Sequence, residues 1–438
     1  MFDSQLHIES GAKATLVSVI CPKLDEHKNE SETNRSLQEM RELLRTLKIE
    51  AHKDYIQNKQ SLDPATIIGR GKLSEIAQFA KDEKSDLLVF DVELTASQIR
   101  NIKKISGLDV IDRCHVILEI FARHAQTKEA KIQIEIARLQ YLLPRLSGFW
   151  SHLSRQRGGV GVKGGEGEQQ IELDRRIVRE RIEFYKKELK VVEKSREQQK
   201  KRRAKKAITA ALVGYTNAGK SSLMNRLCKV DVLEEDKLFA TLDSTYRMLN
   251  PDTKPPMILI DTVGFLSNLP NTLIDGFKTT LESTIEADLL IIIVDISDPH
   301  FEKHLEVTKQ VLKELNADDK EQLIVFNKVD KLNDPLRAKI IKRSFPNSFL
   351  ISALNKEDVN SLRSHVINYF LEKQELFEIF VPCEDGEAHS KVRSQTNIVT
   401  TSNFEKGIFY QVRVPQFIFD QTGLKSYIMA PHERELLS

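Results

Sequence analysis

The sequence predicts an α/β protein: a phosphate-binding-loop (P-loop) domain preceded by a small parallel α/β subdomain with a long antiparallel helical hairpin, and followed by a small α+β domain. Three observations carry that prediction. Apolar strand runs alternate with helical periodicity through residues 1–112, the βαβα rhythm of a parallel sheet flanked by helices. Two long stretches with three- and four-residue apolar steps flank a glycine-rich segment. A strand-like run then delivers Gly214-Tyr215-Thr216-Asn217-Ala218-Gly219-Lys220-Ser221 into a further helical pattern. At roughly 150 residues per domain, 438 residues suit about three domains. The boundaries fall at 1–112, 113–206, 207–372 and 373–438.

In the first segment, Leu16-Val17-Ser18-Val19-Ile20 reads as a strand, and Leu37, Met40, Leu43, Leu44 and Leu47 mark one buried helix face. Ile67-Ile68 precede Gly69-Arg70-Gly71, then a helix carrying Leu73, Ile76 and Ala80 and the strand Leu87-Leu88-Val89-Phe90. A lone GxG after apolar residues is more often an ordinary turn than a nucleotide site. Residues 116–146 are expected to form one long helix, with Ile132, Ile136, Leu139 and Leu143 on its seam and Pro144 near its end. A second helix, from about residue 168 to about residue 201, repeats Ile171, Val178, Ile182, Tyr185, Leu189 and Val192 in heptads, so the two should pair as an antiparallel coiled coil. The loop of residues 151–167 carries Gly158, Gly159, Gly161, Gly164, Gly165 and Gly167 beside Arg155, Arg157 and Lys163. Two to eight residues suffice to join helices, so its excess length favours function over mere connection.

Charge is unevenly distributed. Residues 145–206 hold 19 Lys/Arg against 9 Asp/Glu, a net +10, while the whole chain is only +2. In Lys200-Lys201-Arg202-Arg203-Ala204-Lys205-Lys206 no acid is interleaved, which points to a polyanionic partner such as nucleic acid rather than a solvated helix face. No stretch approaches the roughly 18 apolar residues of a membrane span, and no secretory signal is visible. The four cysteines lack zinc or disulfide spacing, which fits a cytoplasmic protein.

The P-loop matches GxxxxGK[ST], whose backbone N–H groups point at a β-phosphate while the following helix adds its positive dipole end. Lys220 would bridge the β- and γ-phosphates and the Ser221 hydroxyl would ligate Mg²⁺. The strand Met257-Ile258-Leu259-Ile260 ends in Asp261-Thr262-Val263-Gly264, a DxxG in which Asp261 holds Mg²⁺ through water and the Gly264 N–H senses the γ-phosphate. The strand Leu323-Ile324-Val325-Phe326 ends in Asn327-Lys328-Val329-Asp330, an NKxD. A carboxylate there accepts from guanine N1–H and its exocyclic amine, whereas adenine would leave it unpaired. Ser352-Ala353-Leu354 follows a further strand, where a backbone N–H would meet the guanine oxygen. Four motifs in order, each after a strand, imply a Mg²⁺-dependent GTPase, and a P-loop GTPase domain is the expected core of the fold.

These motifs resemble those of the translation-factor-related GTPases, and further residues narrow the likeness to the HflX family within the Obg–HflX group. They are Phe239-Ala240-Thr241-Leu242-Asp243, Asp261-Thr262-Val263-Gly264-Phe265 leading to Leu269-Pro270, Glu135-Ile136-Ala137-Arg138-Leu139-Gln140-Tyr141-Leu142-Leu143-Pro144-Arg145-Leu146, and Glu172-Leu173-Asp174-Arg175-Arg176. The resemblance covers nearly the whole chain. It implies binding of GTP and GDP, binding to the large ribosomal subunit and its RNA with the glycine-rich loop reaching toward the peptidyl-transferase region, and splitting of stalled or idle ribosomes under stress by a protein that is a monomer when free. It adds Ser222 and the switch segment Phe239 to Asp243 to the nucleotide contacts and makes Thr241 a Mg²⁺ ligand, with Lys220, Thr241, Gly264 and Asn217 as the catalytic set. Two departures stand out: Gly164-Gly165-Glu166-Gly167-Glu168 where the family usually reads GPGE, and Ser244 where it reads proline.

Many GTPases place glutamine after DxxG to orient water. Phe265 stands there, so intrinsic hydrolysis should be slow and a partner or an ion should supply the missing group. The resemblance offers K⁺ held by Asn217; bracing of the loop turn by Asn217 is the equal alternative. A helicase-like ATP-dependent RNA remodeller and a GTP-sensing module with little turnover are the rival functions. The first lacks a second RecA-like domain and conflicts with Asp330. Residues 373–438 suggest strands at Glu378-Ile379-Phe380-Val381 and Phe409-Tyr410-Gln411-Val412-Arg413-Val414 and no chemistry.

Overall fold

The structure, a computed structural model, describes residues 11–22, 29–146, 166–204, 207–228, 239, 244–266, 285–332 and 334–429. Most of the glycine-rich loop and Lys205-Lys206 lie outside these residues. The chain divides into two compact units: residues 1–193 with 235–243 and 267–279, and residues 194–234 with 244–266 and 280–438.

The first unit contains a four-stranded, wholly parallel sheet in the order β2-β1-β3-β4, formed by β1 (Lys13–Ile20), β2 (Glu50–Asn58), β3 (Leu87–Phe90) and β4 (Asp109–Asp112). Helices α1 (Glu30–Thr46), α2 (Arg70–Asp82) and α3 (Ala96–Ser106) supply the crossovers. Their starts are chemically marked: Asn29 accepts from Glu32 N–H, and Thr95 forms a reciprocal capping box with Gln98. Leu37, Met40, Leu43 and Leu44 are buried on α1 as the periodicity requires. Ile67 and Ile68 lie in a turn, where Ile67 pairs with Asp63.

The single helix expected over 116–146 is instead two, α4 (Arg113–His124) and α5 (Lys128–Leu142). Ala125 is extended, and Thr127 accepts from Ala130 N–H to start a fresh helix, so an N-cap interrupts an otherwise continuous apolar pattern. Helix α6 (Glu166–Ala204) pairs with α5: Ile132, Ile136 and Leu139 form one apolar cluster with Val178 and Ile182, flanked by Tyr185, Leu189 and Val192. Lys128, at the start of α5, pairs at 3.1 Å with Glu188, far along α6 beyond Val178 and Ile182, as an antiparallel hairpin requires.

Buried charge fastens this unit. Arg113 donates to Asp91 at 2.8 Å and also to Glu39. Asp112 accepts from Leu94 N–H (3.0 Å), His115 N–H (2.9 Å) and the Tyr141 hydroxyl (2.9 Å). Burial pushes the Tyr141 hydroxyl well above its usual range, with the Asp112 charge adding to it. The Arg145 guanidinium stacks 3.6 Å from the Tyr141 ring centroid and donates to the Leu94 carbonyl at 2.6 Å. Tyr141 and Arg145 of the 135–146 stretch therefore tie the hairpin's base to the end of β4.

The second unit is built on a six-stranded sheet in the order β10-β9-β8-β5-β7-β6, antiparallel only at β6. Its strands are β5 (Ile208–Gly214), β6 (Thr245–Asn250), β7 (Met257–Asp261), β8 (Leu289–Asp295), β9 (Gln322–Asn327) and β10 (Phe349–Leu350). Helices α7 (Lys220–Leu227), α8 (Phe301–Glu314), α9 (Pro335–Ser344) and α10 (Lys356–Glu372) connect them. Central β8 is buried along Leu289–Val294, as a parallel strand covered on both faces must be. The remainder is an antiparallel sheet in the order β11-β13-β12 (β11 Glu375–Pro382, β12 Asn397–Phe404, β13 Gly407–Val414) with helices α11 (Gly386–Gln395) and α12 (Gln416–Thr422). Both strands expected there form; β12, with exposed Ile398 and Val399 and mostly polar neighbours, carries no apolar alternation and was not anticipated. Among the described residues no helix is long and apolar enough to cross a membrane.

Candidate functional site

The motif residues converge at the carboxyl ends of β5, β7 and β9, the edge where open α/β sheets bind ligands. β5 ends at Gly214, whose φ of +149° and near contact leave no room for a side chain: a Cβ would lie 2.2 Å from the Ile293 carbonyl oxygen of β8. The loop then turns through Asn217 (φ +59°) and Gly219 (φ +90°) into α7. Lys220 is buried and donates to the carbonyls of Gly214 (3.1 Å) and Tyr215 (2.8 Å), which holds its ammonium over the loop. Burial lowers its pKa to about 8 and the nearby Lys328 charge adds to that, against the Asp261 carboxylate, which raises it. An incoming phosphate would restore the missing counter-charge.

The Ser221 hydroxyl donates to Asp261 Oδ2 at 2.7 Å. A hydroxyl and a buried carboxylate side by side are the hard oxygen donors that Mg²⁺ takes, so these residues fit the metal. Asp261 is placed by its strand and by the adjacent Thr262, whose hydroxyl donates to the Leu212 carbonyl of β5 at 2.6 Å. Gly264 sits against the P-loop, and a Cβ on it would lie 2.8 Å from Thr216 Cα and 2.9 Å from Lys220 Nζ. Phe265 follows with its backbone laddered to the loop: Thr216 N–H donates to Phe265 O at 2.8 Å and Phe265 N–H to Gly214 O at 3.0 Å. Its side chain is buried.

The loops that follow β9 and β10 are joined to each other and to the P-loop by side chains. Asn327 donates to Ala218 O and accepts from Ala353 N–H, both at 3.0 Å. Lys328 (φ +65°) donates to Asn217 O at 2.8 Å and pairs with Asp295 at 2.7 Å. The Ser352 hydroxyl donates to Asp330 Oδ1, and Ser352 N–H to Asp358 Oδ2 at 2.8 Å. Because Ala353 N–H already serves Asn327, a guanine oxygen would share it as a three-centre bond. Ala240, Thr241, Leu242 and Asp243 lie outside the described residues; Phe239 is described, buried with φ +57° and edge-on to Phe121 at 4.6 Å. Sequence reasoning missed Asp295, Thr262 as a β5 tether, Asp358, and His304, which stacks on Tyr215 at 3.9 Å. Of these only Thr262 falls in a spaced motif, at a variable position of the DxxG that gives no sign of its tether to β5.

Comparison with known proteins bears on this geometry. Residues 34–122 match the family of GTP-binding GTPase N-terminal regions, residues 124–203 the GTP-binding GTPase middle region, and residues 209–328 the 50S ribosome-binding GTPase family. The chain is 37% identical over 441 residues to GTPase HflX of Akkermansia muciniphila, covering 98% of this chain and 99% of that one. It is 39% identical over 375 residues to GTPase HflX of Alkalihalophilus pseudofirmus (85% and 88%) and 40% identical over 390 residues to that of Magnetococcus marinus (88% and 89%). The chain belongs to the HflX family of GTPases. Hydrolysis of GTP is therefore its activity, and the helicase-like alternative falls away. Three family models thus cover, in turn, most of the parallel-sheet region, the hairpin and the first part of the P-loop domain.

Proposed function

We propose that this GTPase binds the large ribosomal subunit through residues 145–206 and separates the subunits of stalled or idle ribosomes under stress, with GTP and Mg²⁺ held by the site above. One observation carries the reading: the +10 segment is continuous with the nucleotide site, since α6 ends at Ala204 and β5, which delivers the P-loop, begins at Ile208. Arg176, Arg179, Lys187, Lys190 and Lys194 are exposed along α6, where long cations contact phosphate backbone without reading sequence. The match of residues 209–328 to ribosome-binding GTPases supports the same partner.

Each residue has a physical role in this reading. The P-loop N–H groups and Lys220 bind the phosphates, Ser221 and Asp261 hold Mg²⁺ (Asp261 through water) with Thr241 completing the set, and Asp330 reads guanine. Bound Mg²⁺ neutralises charge on the β- and γ-phosphates. The Gly264 N–H faces the γ-phosphate, and the glycine-rich loop enters RNA because backbone without side chains passes between packed elements. Affinity and subunit separation should be separable. Replacing Lys200, Lys201, Arg202 and Arg203 with alanine should weaken large-subunit binding and flatten its salt dependence, because fewer counterions are released. Deleting residues 158–165 should preserve much of the binding and abolish splitting. Cosedimentation across a KCl series with a splitting assay measures both; a loop deletion that splits ribosomes like the parent would make the loop a connector.

A further inference from the structure

The Phe265 problem has a local answer. The position that commonly carries a water-orienting glutamine is clamped to the P-loop by two backbone hydrogen bonds, and its side chain is 1% exposed carbon. Among the described residues, the polar groups nearest this position are those of the P-loop and its neighbours. Lys220 and Ser221 already have roles toward the phosphates and Mg²⁺ in the proposed reading, and the Lys328 ammonium is committed to Asn217 O and Asp295. The Tyr215 ring lies flat on His304, 12° from parallel. Thr216 differs from all of these. It is 7% exposed, and its Oγ1 has no hydrogen-bond partner among the described residues. It also borders the switch glycine: its Cα and Cγ2 lie 2.8 and 2.9 Å from where a Cβ on Gly264 would stand.

We propose that Thr216 is a catalytic residue of GTP hydrolysis, its hydroxyl accepting a hydrogen bond from the attacking water and donating its own to a γ-phosphate oxygen. A buried hydroxyl with no partner among the described residues calls for an explanation, and a ligand that engages it is one; threonine supplies both the acceptor and the donor that a glutamine amide would. The chemistry needs no other reactant. The water oxygen bonds to the γ-phosphorus as the bond from that phosphorus to the β–γ bridging oxygen breaks. The electron pair stays on the bridging oxygen, which leaves as part of GDP, and both water protons end on inorganic phosphate. The Thr216 hydroxyl keeps its own proton throughout and contributes orientation.

The test is single-turnover hydrolysis by Thr216→Val and Thr216→Ser beside equilibrium binding of a non-hydrolysable GTP analogue. Valine retains the shape and the carbon facing Gly264 and removes only the hydroxyl, while the backbone bond to Phe265 is unaffected. The expected result is a rate about 10²-fold lower for valine, the usual effect of deleting one oriented polar group at a reacting phosphate or oxyanion, with analogue affinity within about threefold of the parent. Serine should recover most of the rate. Parent turnover reports on the GTPase itself, and the ratio of variant to parent reports on Thr216. A valine variant that hydrolyses GTP at the parent rate overturns the proposal, as does an equal loss in both variants accompanied by weakened analogue binding.

Discussion

Gly219→Ala probes how the phosphate and base loops are held together. Gly219 has φ +90°, and a Cβ on it would lie 2.4 Å from Asn327 Nδ2. The left-handed backbone alone costs a non-glycine residue about 1–2 kcal/mol. Relief of the overlap must move the Asn327 amide, which donates to Ala218 O and accepts from Ala353 N–H; the two bonds contribute about 0.5–1.5 kcal/mol each. Together these come to about 2–5 kcal/mol, a factor of roughly 30 to 4,000 if all of it falls on nucleotide affinity. Fluorescent-GDP titration and a thermal melt, run together, capture the loss whether it appears in binding or in stability. Gly71→Ala is the control: it lies in α2 with nothing within 4 Å of its Cβ and should be neutral or stabilising by about 0.4–1 kcal/mol. If Gly219→Ala changes neither quantity more than this control, the Asn327 brace is not what joins the loops.

Other consequences follow from the same geometry. Asp330→Asn should reduce GTP affinity by about 10⁴-fold and favour xanthosine triphosphate, whose C2 oxygen accepts from the new amide; unchanged GTP binding in an equilibrium titration would remove the guanine assignment. Arg113→Met removes the cation that pairs with buried Asp91 and should cost about 3–5 kcal/mol, seen as lost hydrogen-exchange protection in α1, β3 and α4; protection equal to the parent's would refute it. If Asn217 ligates K⁺, hydrolysis should be faster in KCl than in NaCl at matched ionic strength, and Asn217→Ala should erase the difference. Equal parent rates in the two salts leave Asn217 as the positive-φ brace of its turn.

The nucleotide site was legible because its chemistry is local: a glycine where φ is positive, a lysine and serine at fixed offsets, and carboxylates directly after strands. Its cross-braces were not, because Asn327 to Ala218 and Ser221 to Asp261 span 109 and 40 residues. The parallel sheet was visible as a class, but β2 was missed, since Glu50–Asn58 is a half-exposed strand with little apolar alternation. The break between α4 and α5 escaped notice because periodicity continues through it and only the Thr127 cap marks it. The buried charges Arg113, Asp112 and Arg145 read as surface residues until distant partners are in place. The +10 segment needed only counting.

The dependence of hydrolysis on a ribosomal partner is tested most directly by single-turnover GTP hydrolysis with and without large ribosomal subunits, at fixed Mg²⁺ and ionic strength. With Phe265 buried and offering no hydrogen bond, the protein alone should turn over slowly, and a partner that stabilises the transition-state charge should raise the rate by at least an order of magnitude. A rate that is the same with and without large subunits would contradict that dependence.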